Sequence, residues 1–505
     1  MATTKEIKIS KFDTIAENLR DLPNGQFHYL ENLGIGDFDS YAKQVPNVTT
    51  LSQDQCILKL IKYGSTVYGI GFDNTTNKDV TLYKWVTDAF VALTDGTVAS
   101  GTIRLYAPFF AFMGDYIYFD GGTNFISRWQ ISTTTMDETW VAHTGGMLGG
   151  TAWRGDLYGW CDIDNEVYQI SDAAVTSMIV IPEDQTVKEL IPFGNYLAIV
   201  CTASTLSDDG VSRMYLWDGV TTTTFTDIID IGYGIVEGGD ILDGMINVVV
   251  GFNNRKGFRI KTYSGGIFQT VYTYYGRNNL VTDYLYCMPA SVVKAYTGFL
   301  YFMMVGARPG STYSSSYEAV LMRYGRNTIN ETNKLSVYKS LEVIPIVGNT
   351  LGILGNDFII SEEVNPAAVV DNSVYAVVYE SAYKTRQIVS TTSTYSGQPG
   401  AIETSAYSFG DVSKDKQLKA MALQFAPLPA TGQITLKYKA DAETDWTTVC
   451  EETTPDDVFY NVVNVESTGA NLPTFNEIAF RVELLGGATL TSFNAKAEEL
   501  GDIYG

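Results

Sequence analysis

Short apolar runs separated by polar turns fill most of this chain, and one two-part phrase recurs along it. Its clearest copy begins at Met113-Gly114-Asp115, continues as the apolar run 116–119, and ends after a Gly-Gly-Thr-Asn turn in the run 126–129. A glycine corner followed by two short runs rich in aromatic and β-branched residues predicts a pair of antiparallel strands. Helical periodicity is almost absent, so the pattern predicts an all-β protein.

Six relatives of this phrase, the last of them faint, give the chain an internal repeat. Their corner glycines, with that of the clearest copy, are Gly64, Gly114, Gly155, Gly194, Gly244, Gly298 and Gly348. Strand-built repeats of about 40 to 50 residues are typical of β-propeller blades, each of which buries its faces against its neighbours. We therefore predict that residues 51–389 form a β-propeller of six or seven blades, with seven favoured.

The repeat ends at a Ser/Thr-rich stretch, residues 390–401, which predicts a linker. Beyond it, residues 402–505 predict a β-sandwich because several short runs alternate apolar and polar positions. These runs are 418–425, 433–438, 446–450, 477–484 and 490–497. We predict that residues 1–50 form an N-terminal arm. If this arm gives a strand to the last blade, the ring closes without a free edge, and the incomplete seventh repeat is explained.

The net charge of the chain limits the kinds of partner that it is expected to bind. The chain of 505 residues has a net charge of −23, so sequence-independent binding to nucleic-acid phosphates is disfavoured over most of the surface. This charge does not exclude a pore through which nucleic acid passes without adhering. No apolar run is long enough for a membrane span, and the first residues do not form a signal peptide, so if the protein leaves its cell we expect it to do so by lysis or as part of a particle.

Candidate chemistry is sparse. The five cysteines are scattered without a CxxC pair, which predicts reduced, buried thiols rather than a zinc or redox site. The two histidines, His28 and His143, have no obvious common neighbour, and no metalloprotease, phosphate-loop or nucleophile-elbow motif is present. We therefore predict no enzyme, no catalytic residue, no metal ligand and no cofactor.

Three groups of residues leave alternatives open. The acidic hairpin 162–166 offers oxygens for calcium but lacks the EF-hand spacing, and a solvated turn is the simpler interpretation. Arg128, Arg213, Arg259 and Arg323 lie near the ends of their strands, where they either line one face of the ring or pair with surface carboxylates. Tryptophan and tyrosine rings are able to stack on sugars, but most of them lie within predicted strands and favour packing.

The phrases Gly-Asp-Tyr-Ile-Tyr-Phe, Gly-Asn-Tyr-Leu-Ala-Ile and Met-Tyr-Leu-Trp-Asp-Gly resemble the propeller-bearing structural proteins of tailed bacteriophages. The chain is similar in particular to the tail nozzle, or muzzle, proteins of short-tailed phages, and Ala426-Pro427-Leu428-Pro429 in the sandwich region adds to the likeness. The resemblance covers residues 54–500. It implies a virion component that assembles in the host cytoplasm as a homo-oligomeric ring around a DNA exit channel.

The same resemblance implies contacts with other copies of the chain and with neighbouring tail, portal or adaptor proteins, without specific nucleic-acid binding. A carbohydrate-directed propeller is the main alternative, either as a receptor-binding tail module or as a glycosidase that works with Asp and Glu. A bacterial interaction scaffold is a third hypothesis.

Overall fold

The fold is given by a computed structural model in which every regular element is a strand. It describes residues 4–9, 13–14, 26–27, 29–31, 33–35, 42–44, 48–50, 55–64, 66–73, 80–86, 89–93, 109–121, 125–143, 147–161, 165–204, 210–252, 257–274, 288–296, 299–307, 317–326, 339–346, 354–360, 374–379, 384–388, 399–404, 406–441, 443–455, 460–464 and 473–500. No helix occurs in these residues, and therefore none that is long and apolar enough to cross a membrane. The all-β prediction is confirmed.

Seven short strands precede the repeat. They are β1 (Thr4–Ile9), β2 (Asp13–Thr14), β3 (Gln26–Phe27), β4 (Tyr29–Glu31), β5 (Leu33–Ile35), β6 (Ala42–Gln44) and β7 (Val48–Thr50).

Four-stranded antiparallel units then follow one another along the chain, and each is a blade of the propeller. The first blade contains β8 (Gln55–Tyr63), β9 (Thr66–Asp73), β10 (Val80–Val86) and β11 (Ala89–Ala92). The second contains β12 (Phe110–Met113), β13 (Tyr116–Asp120), β14 (Phe125–Gln130) and β15 (Thr135–Ala142). The third contains β16 (Leu148–Trp153), β17 (Asp156–Cys161), β18 (Glu166–Ile170) and β19 (Val175–Val180).

The remaining units continue this order. The fourth contains β20 (Gln185–Phe193), β21 (Tyr196–Ala203), β22 (Val211–Trp217) and β23 (Asp227–Tyr233). The fifth contains β24 (Ile235–Leu242), β25 (Met245–Phe252), β26 (Gly257–Ser264) and β27 (Ile267–Tyr274). The sixth contains β28 (Met288–Tyr296), β29 (Phe299–Ala307), β30 (Tyr317–Arg326) and β31 (Lys339–Ile346). The seventh contains β32 (Leu354–Ile360), β33 (Val374–Tyr379) and β34 (Lys384–Ile388), and its fourth strand is β7.

The strand contacts make these units a closed ring. The first strands β8, β12, β16, β20, β24, β28 and β32 contact one another in chain order, and β32 also contacts β8. The strand pairing therefore confirms the propeller prediction. The described strands form seven sets of four strands, one set for each blade. Second strands such as β21 and β25 are almost wholly buried because both of their faces meet neighbouring blades. This explains why they read as continuous apolar runs rather than as alternating patterns.

The corner glycines connect the first and second strands of the blades. At five of the predicted corners the glycine has a φ between 58° and 87°, a left-handed conformation that costs glycine little but strains other residues. The faint corner predicted at Gly348 lies outside the described residues. The first described strand of the seventh blade is β32, and it pairs with β33.

The C-terminal region forms two facing sheets around one core. Its strands are β35 (Gly400–Glu403), β36 (Lys416–Phe425), β37 (Gln433–Ala440), β38 (Thr447–Glu452), β39 (Tyr460–Asn464), β40 (Thr474–Phe475), β41 (Ile478–Leu485) and β42 (Thr489–Glu499). One sheet contains β36, β39, β40 and β42, and the other contains β35, β37, β38 and β41. Phe480 of β41 and Phe493 of β42 pack across the core with their ring centroids 4.9 Å apart. This arrangement is that of a β-sandwich.

The N-terminal segment is shared by both units. Strand β1 pairs with β42 along six residues, and β6 pairs with the start of the same strand on the same edge, which is the edge that β36 leaves free. Strand β4 lies between β31 of the sixth blade and β35 of the sandwich, while β7 pairs with β34. The strand pairing needed for closure by residues 1–50 is therefore present, but these residues are also part of the sandwich. The sandwich itself begins at Gly400, inside the predicted linker, because Ala401 and Ile402 are buried in it.

The closure at β7 predicts a specific disulfide. Thr49 lies opposite Gln387 in the β7–β34 register, so Thr49→Cys with Gln387→Cys places two thiols within bonding reach. Oxidation of this variant is expected to give an intramolecular bond and to raise the apparent unfolding temperature, since a disulfide across so long a loop typically adds about 2–4 kcal/mol. The control pair Thr49→Cys with Lys384→Cys is displaced by three residues, or about 10 Å along the strand. Equal cross-linking of both pairs, measured by thiol titration and mass spectrometry, would contradict the closure.

Candidate functional site

The histidines do not form a common site in the described residues. His28 lies outside them. His143 follows β15, and its ring packs edge-on against Tyr168 of the next blade with centroids 5.3 Å apart. The structure thus places His143 in the packing between the second and third blades, where an aromatic contact accounts for its position.

The acidic hairpin is only partly described, and Asp162 to Asp164 lie outside the described residues. Asn165, at its end, donates its side-chain amide to the carbonyls of Ile181, Pro182 and Gln185 at 3.1, 2.9 and 2.7 Å. This fan of hydrogen bonds ties the hairpin to the link between the third and fourth blades. Within the part of the chain that the structure covers, no three His, Cys, Asp or Glu side chains are grouped closely enough to hold a metal ion.

Two of the four arginines are paired with carboxylates. Arg128 of β14 contacts Asp137 of the adjacent strand at 3.4 Å and Asp172 of the third blade at 3.2 Å. Its guanidinium also lies about 5 Å from the ring centroids of Tyr116 and Trp140. Because Asp172 is largely exposed, this ion pair contributes at most about 1 kcal/mol.

The fourth blade repeats this arrangement. Arg213 of β22 contacts Asp230 of β23 at 3.2 Å and Asp184 at 3.0 Å. Arg259 instead lies over the ring of Phe252 at 4.3 Å. Arg323 lies opposite Glu342 in the register of the sixth blade, and its side chain is outside the description. For Arg128 and Arg213, the structure therefore favours pairing with surface carboxylates over the alternative that these arginines line one face of the ring.

The tryptophans hold the blades together. Trp153 of the third blade packs against Trp217 of the fourth with centroids 6.1 Å apart, and Tyr158 meets Trp217 edge-on at 5.9 Å. All three rings are buried. A fully buried aromatic ring contributes about 2–3 kcal/mol, more than an exposed ion pair, so these rings stabilise the seam more than the exposed ion pairs of Arg128 and Arg213 stabilise their blades. None of the chain's seven tryptophans is fully exposed.

The best-organised surface feature centres on Arg154, a residue that sequence reasoning treated only as part of a corner. Its guanidinium donates to the carbonyl of Asn195 and to that of Asp218, both at 2.8 Å, and it stacks on Trp153 at 4.5 Å. Arg154 thereby connects corners of the third and fourth blades with the β22–β23 loop. The signal that was available is the Arg-Gly-Asp corner itself, because the partners are backbone carbonyls that no side-chain pattern reveals.

Hydrogen bonds within that loop determine its conformation. Asp218 accepts hydrogen bonds from the backbone of Val220 at 2.9 Å and of Thr221 at 3.3 Å, and these bonds hold the pKa of its carboxyl below the ordinary value. The indole of Trp217 donates to the carbonyl of Thr221 at 2.5 Å. Gly219 has a φ of 79° and lies so close to Trp153 that a Cβ atom there would collide with its ring. The loop therefore presents Val220, which is 76% exposed, in a fixed position.

A partly buried carboxyl joins the fifth and sixth blades. Asp240 of β24 accepts hydrogen bonds from the backbone of Ala295 in β28 and of Ile241, both at 2.7 Å. Burial raises the pKa of Asp240, and the two N–H donors oppose that rise only in part. The group sits against backbone rather than beside a nucleophile, so its geometry suits attachment between blades rather than proton transfer to a substrate.

A second polar cluster orders the sandwich. Glu483 contacts Arg481 and Lys437, each at 2.7 Å, and Arg481 also contacts Glu403. The residues come from β35, β37 and β41, which are adjacent in one sheet. These mostly buried charges fix the register of three strands, because a shift by one residue would separate the partners.

Comparison with known proteins gives no family. No protein-family profile matches the chain, and no curated protein matches it. Similar solved structures include the WD40 β-propeller domain of Doa1, at 11% identity over 70% of this chain and 99% of that one, with a TM-score of 0.40. U3-55K is 12% identical over 68% of this chain and 98% of its own, with a TM-score of 0.42. A chain of the mitotic checkpoint complex is 11% identical over 69% of this chain and 96% of its own, with a TM-score of 0.43. At these scores the propeller assignment rests on the strand pairing itself.

The Arg154 contacts predict a measurable loss of stability. Arg154→Ala removes two hydrogen bonds from a charged donor and the stacking on Trp153, and we expect the free energy of unfolding to fall by about 1–2 kcal/mol in urea. Arg154→Lys keeps the charge but lacks the fork that reaches both carbonyls, so it should recover only part of this loss. Full stability of Arg154→Lys would contradict the bidentate role.

Asp240 predicts a pH dependence with a definite sign. Its pKa is raised on folding above the ordinary 3.8, so the native state binds this proton more tightly and the stabilisation falls as the pH rises through the folded pKa. Asp240→Asn should therefore flatten the decline of the unfolding free energy above about pH 4. Asp156→Asn, which changes an exposed carboxyl at a corner, is the matched control. Identical pH profiles for the wild type and Asp240→Asn, measured by urea unfolding, would refute the assignment.

Proposed function

We propose that this chain is a non-enzymatic structural subunit of a tailed-phage virion, of the tail nozzle or hub type, that forms part of a ring around or near the DNA exit channel. The observation that carries the proposal is the shared N-terminal segment. Strand pairing at β1, β4 and β7 connects the sandwich, the sixth blade and the seventh blade. A subunit joined in this way transmits load through hydrogen-bonded sheets rather than through a flexible linker, as a mechanical component requires.

Two further features support the proposal. The clusters that most resemble chemical sites, at Arg128, Arg154 and Asp240, are engaged in contacts between blades. The net charge of −23 is compatible with a surface that repels DNA phosphates and lets DNA slide. The sequence motifs that resemble those of nozzle proteins are the reason for proposing that the subunit belongs to a virion. The carbohydrate-directed alternative needs exposed aromatic platforms; the tryptophans are buried or half-buried, whereas Tyr233 and Phe112 are exposed.

The proposal predicts where the protein is found. Antibody labelling and electron microscopy of particles that carry this protein should locate it in the tail, and the density there should accommodate a propeller next to a sandwich. Purified protein should neither release reducing sugar from a broad glycan panel nor bind to it. Absence of the protein from purified particles, or a saturable glycan activity, would overturn the proposal.

A further inference from the structure

The N-terminal segment, strands β1 to β7, is held mainly by the sandwich. Strand β1 pairs with β42 along six residues, β4 pairs with β35 along three, and β6 pairs with β42 along two. On the propeller side, β7 pairs with β34 along three residues and β4 meets β31 at one. The outer strand of the seventh blade is therefore held to that blade by a short ladder, and a short strand pair is marginally stable on its own.

Short links connect β7 to both units. Residues 45–47 separate it from β6, and residues 51–54 separate it from β8 of the first blade. A link of three residues keeps the Cα atoms of Gln44 and Val48 within roughly 14 Å of each other, because an extended chain spans at most about 3.6 Å per residue. The start of β7 is thus anchored to the sandwich and its end to the first blade. If β6 leaves the sandwich, the start of β7 loses its anchor, and so short a strand frays from that end.

One side chain anchors β1 in the sandwich. The structure describes the side chains of residues 5–8 in this strand, and among them only Ile7 is buried, in the sandwich core. Lys5 pairs with Glu499 at 3.4 Å but stays partly exposed, and such ion pairs contribute little to stability. The attachment of β1 therefore depends on its backbone ladder and on Ile7.

Strand β1 also covers a strained part of the sandwich. Phe409 is buried but has a φ of 50°, and Gly410 follows it with a φ of 119°. A left-handed conformation is unfavourable for a bulky residue and persists only where its surroundings enforce it. Lys5 lies so close to Gly410 that a Cβ atom there would collide with its ammonium group. Release of β1 removes one of the contacts that enforce this conformation, so relief of the strain favours release.

We propose that the N-terminal segment is a strap that couples closure of the propeller to the sandwich. While β1 and β6 pair with β42, β7 completes the seventh blade. When β1 and β6 leave β42, β7 separates from β34 and the propeller opens beside the first blade. Two sites that bias one equilibrium are coupled, and the coupling has the same strength in both directions. The strap acts within a single copy of the chain, so it goes beyond the proposed function and does not depend on it.

Ile7→Ala loosens the strap on the sandwich without altering the propeller. Under conditions in which the whole chain stays folded, amide hydrogen exchange in β7 and β34 should accelerate roughly tenfold, as measured by mass spectrometry of peptides. Leu436→Ala is the matched control. Leu436 lies in the same core, but its strand, β37, pairs with β38 and β41 and with no described strand of the strap. This control should accelerate exchange in the sandwich and leave exchange in β34 unchanged.

The disulfide variant Thr49→Cys with Gln387→Cys supplies a second comparison. Its oxidised form holds β7 on β34 independently of the sandwich, because the two positions are opposite one another in the register. In this oxidised background, Ile7→Ala should no longer accelerate exchange in β34. The reciprocity of the coupling further predicts that the oxidised form exchanges its β1 amides more slowly than the reduced form, although the bond lies in the propeller.

Three outcomes overturn the strap. Equal exchange in β34 of the wild type and of Ile7→Ala means that the propeller closes without help from the sandwich. Equal acceleration in β34 by Ile7→Ala and Leu436→Ala means that the effect is a general loss of stability. If Ile7→Ala does not fold, the oxidised and reduced forms of the disulfide variant decide, because identical exchange in β1 of both forms excludes the coupling. These results are independent of where the protein is located.

Discussion

A propeller blade is stable only when both of its faces are covered, and this constraint governs the rest of the structure. Each central strand, such as β21 or β25, is apolar on both sides and gains its burial from the neighbouring blades. An open ring would expose two such faces and a free strand edge to water. The contact of β32 with β8 and the pairing of β7 with β34 remove these exposed surfaces. Closure therefore depends on residues that are roughly 290 to 340 positions apart in sequence.

The use of one N-terminal segment for closure links the propeller to the sandwich. The strand that completes the seventh blade follows, in the same segment, strands that pair within the sandwich and beside the sixth blade. Such long-range pairings bear a large loop-closure cost in entropy, which favourable contacts must exceed. Both chain ends must be present before these pairings can form. The ring and the sandwich are consequently coupled in folding, even though each has its own apolar core.

The sequence was sufficient for features that are local in the chain. Corner glycines and apolar runs predicted strands such as β13, β17 and β21, and alternation predicted β36, β41 and β42. The incomplete seventh repeat indicated a strand from the N-terminal segment, but no local pattern identified β7 as that strand, because its partner β34 is more than 330 positions away. The sequence missed Arg154 and Asp240 for a related reason, since both bind backbone groups of other blades. The pattern of side-chain types along a sequence does not show which backbone groups a side chain will bind.

The distribution of charge is more informative than its total. A net charge of −23 predicts repulsion between copies, and this alone would oppose a homo-oligomeric ring. The basic residues are unevenly placed, however: the span 214–254 has none, whereas Lys5 and Lys414 both approach Glu499 at the edge of the sandwich, where acidic residues lie beside them. Screening limits electrostatic interaction to about 10 Å at 0.1 M salt, so the charges that face one another decide the outcome rather than the sum. Whether an acidic chain associates with itself therefore depends on the charges near the contact and not on its net charge.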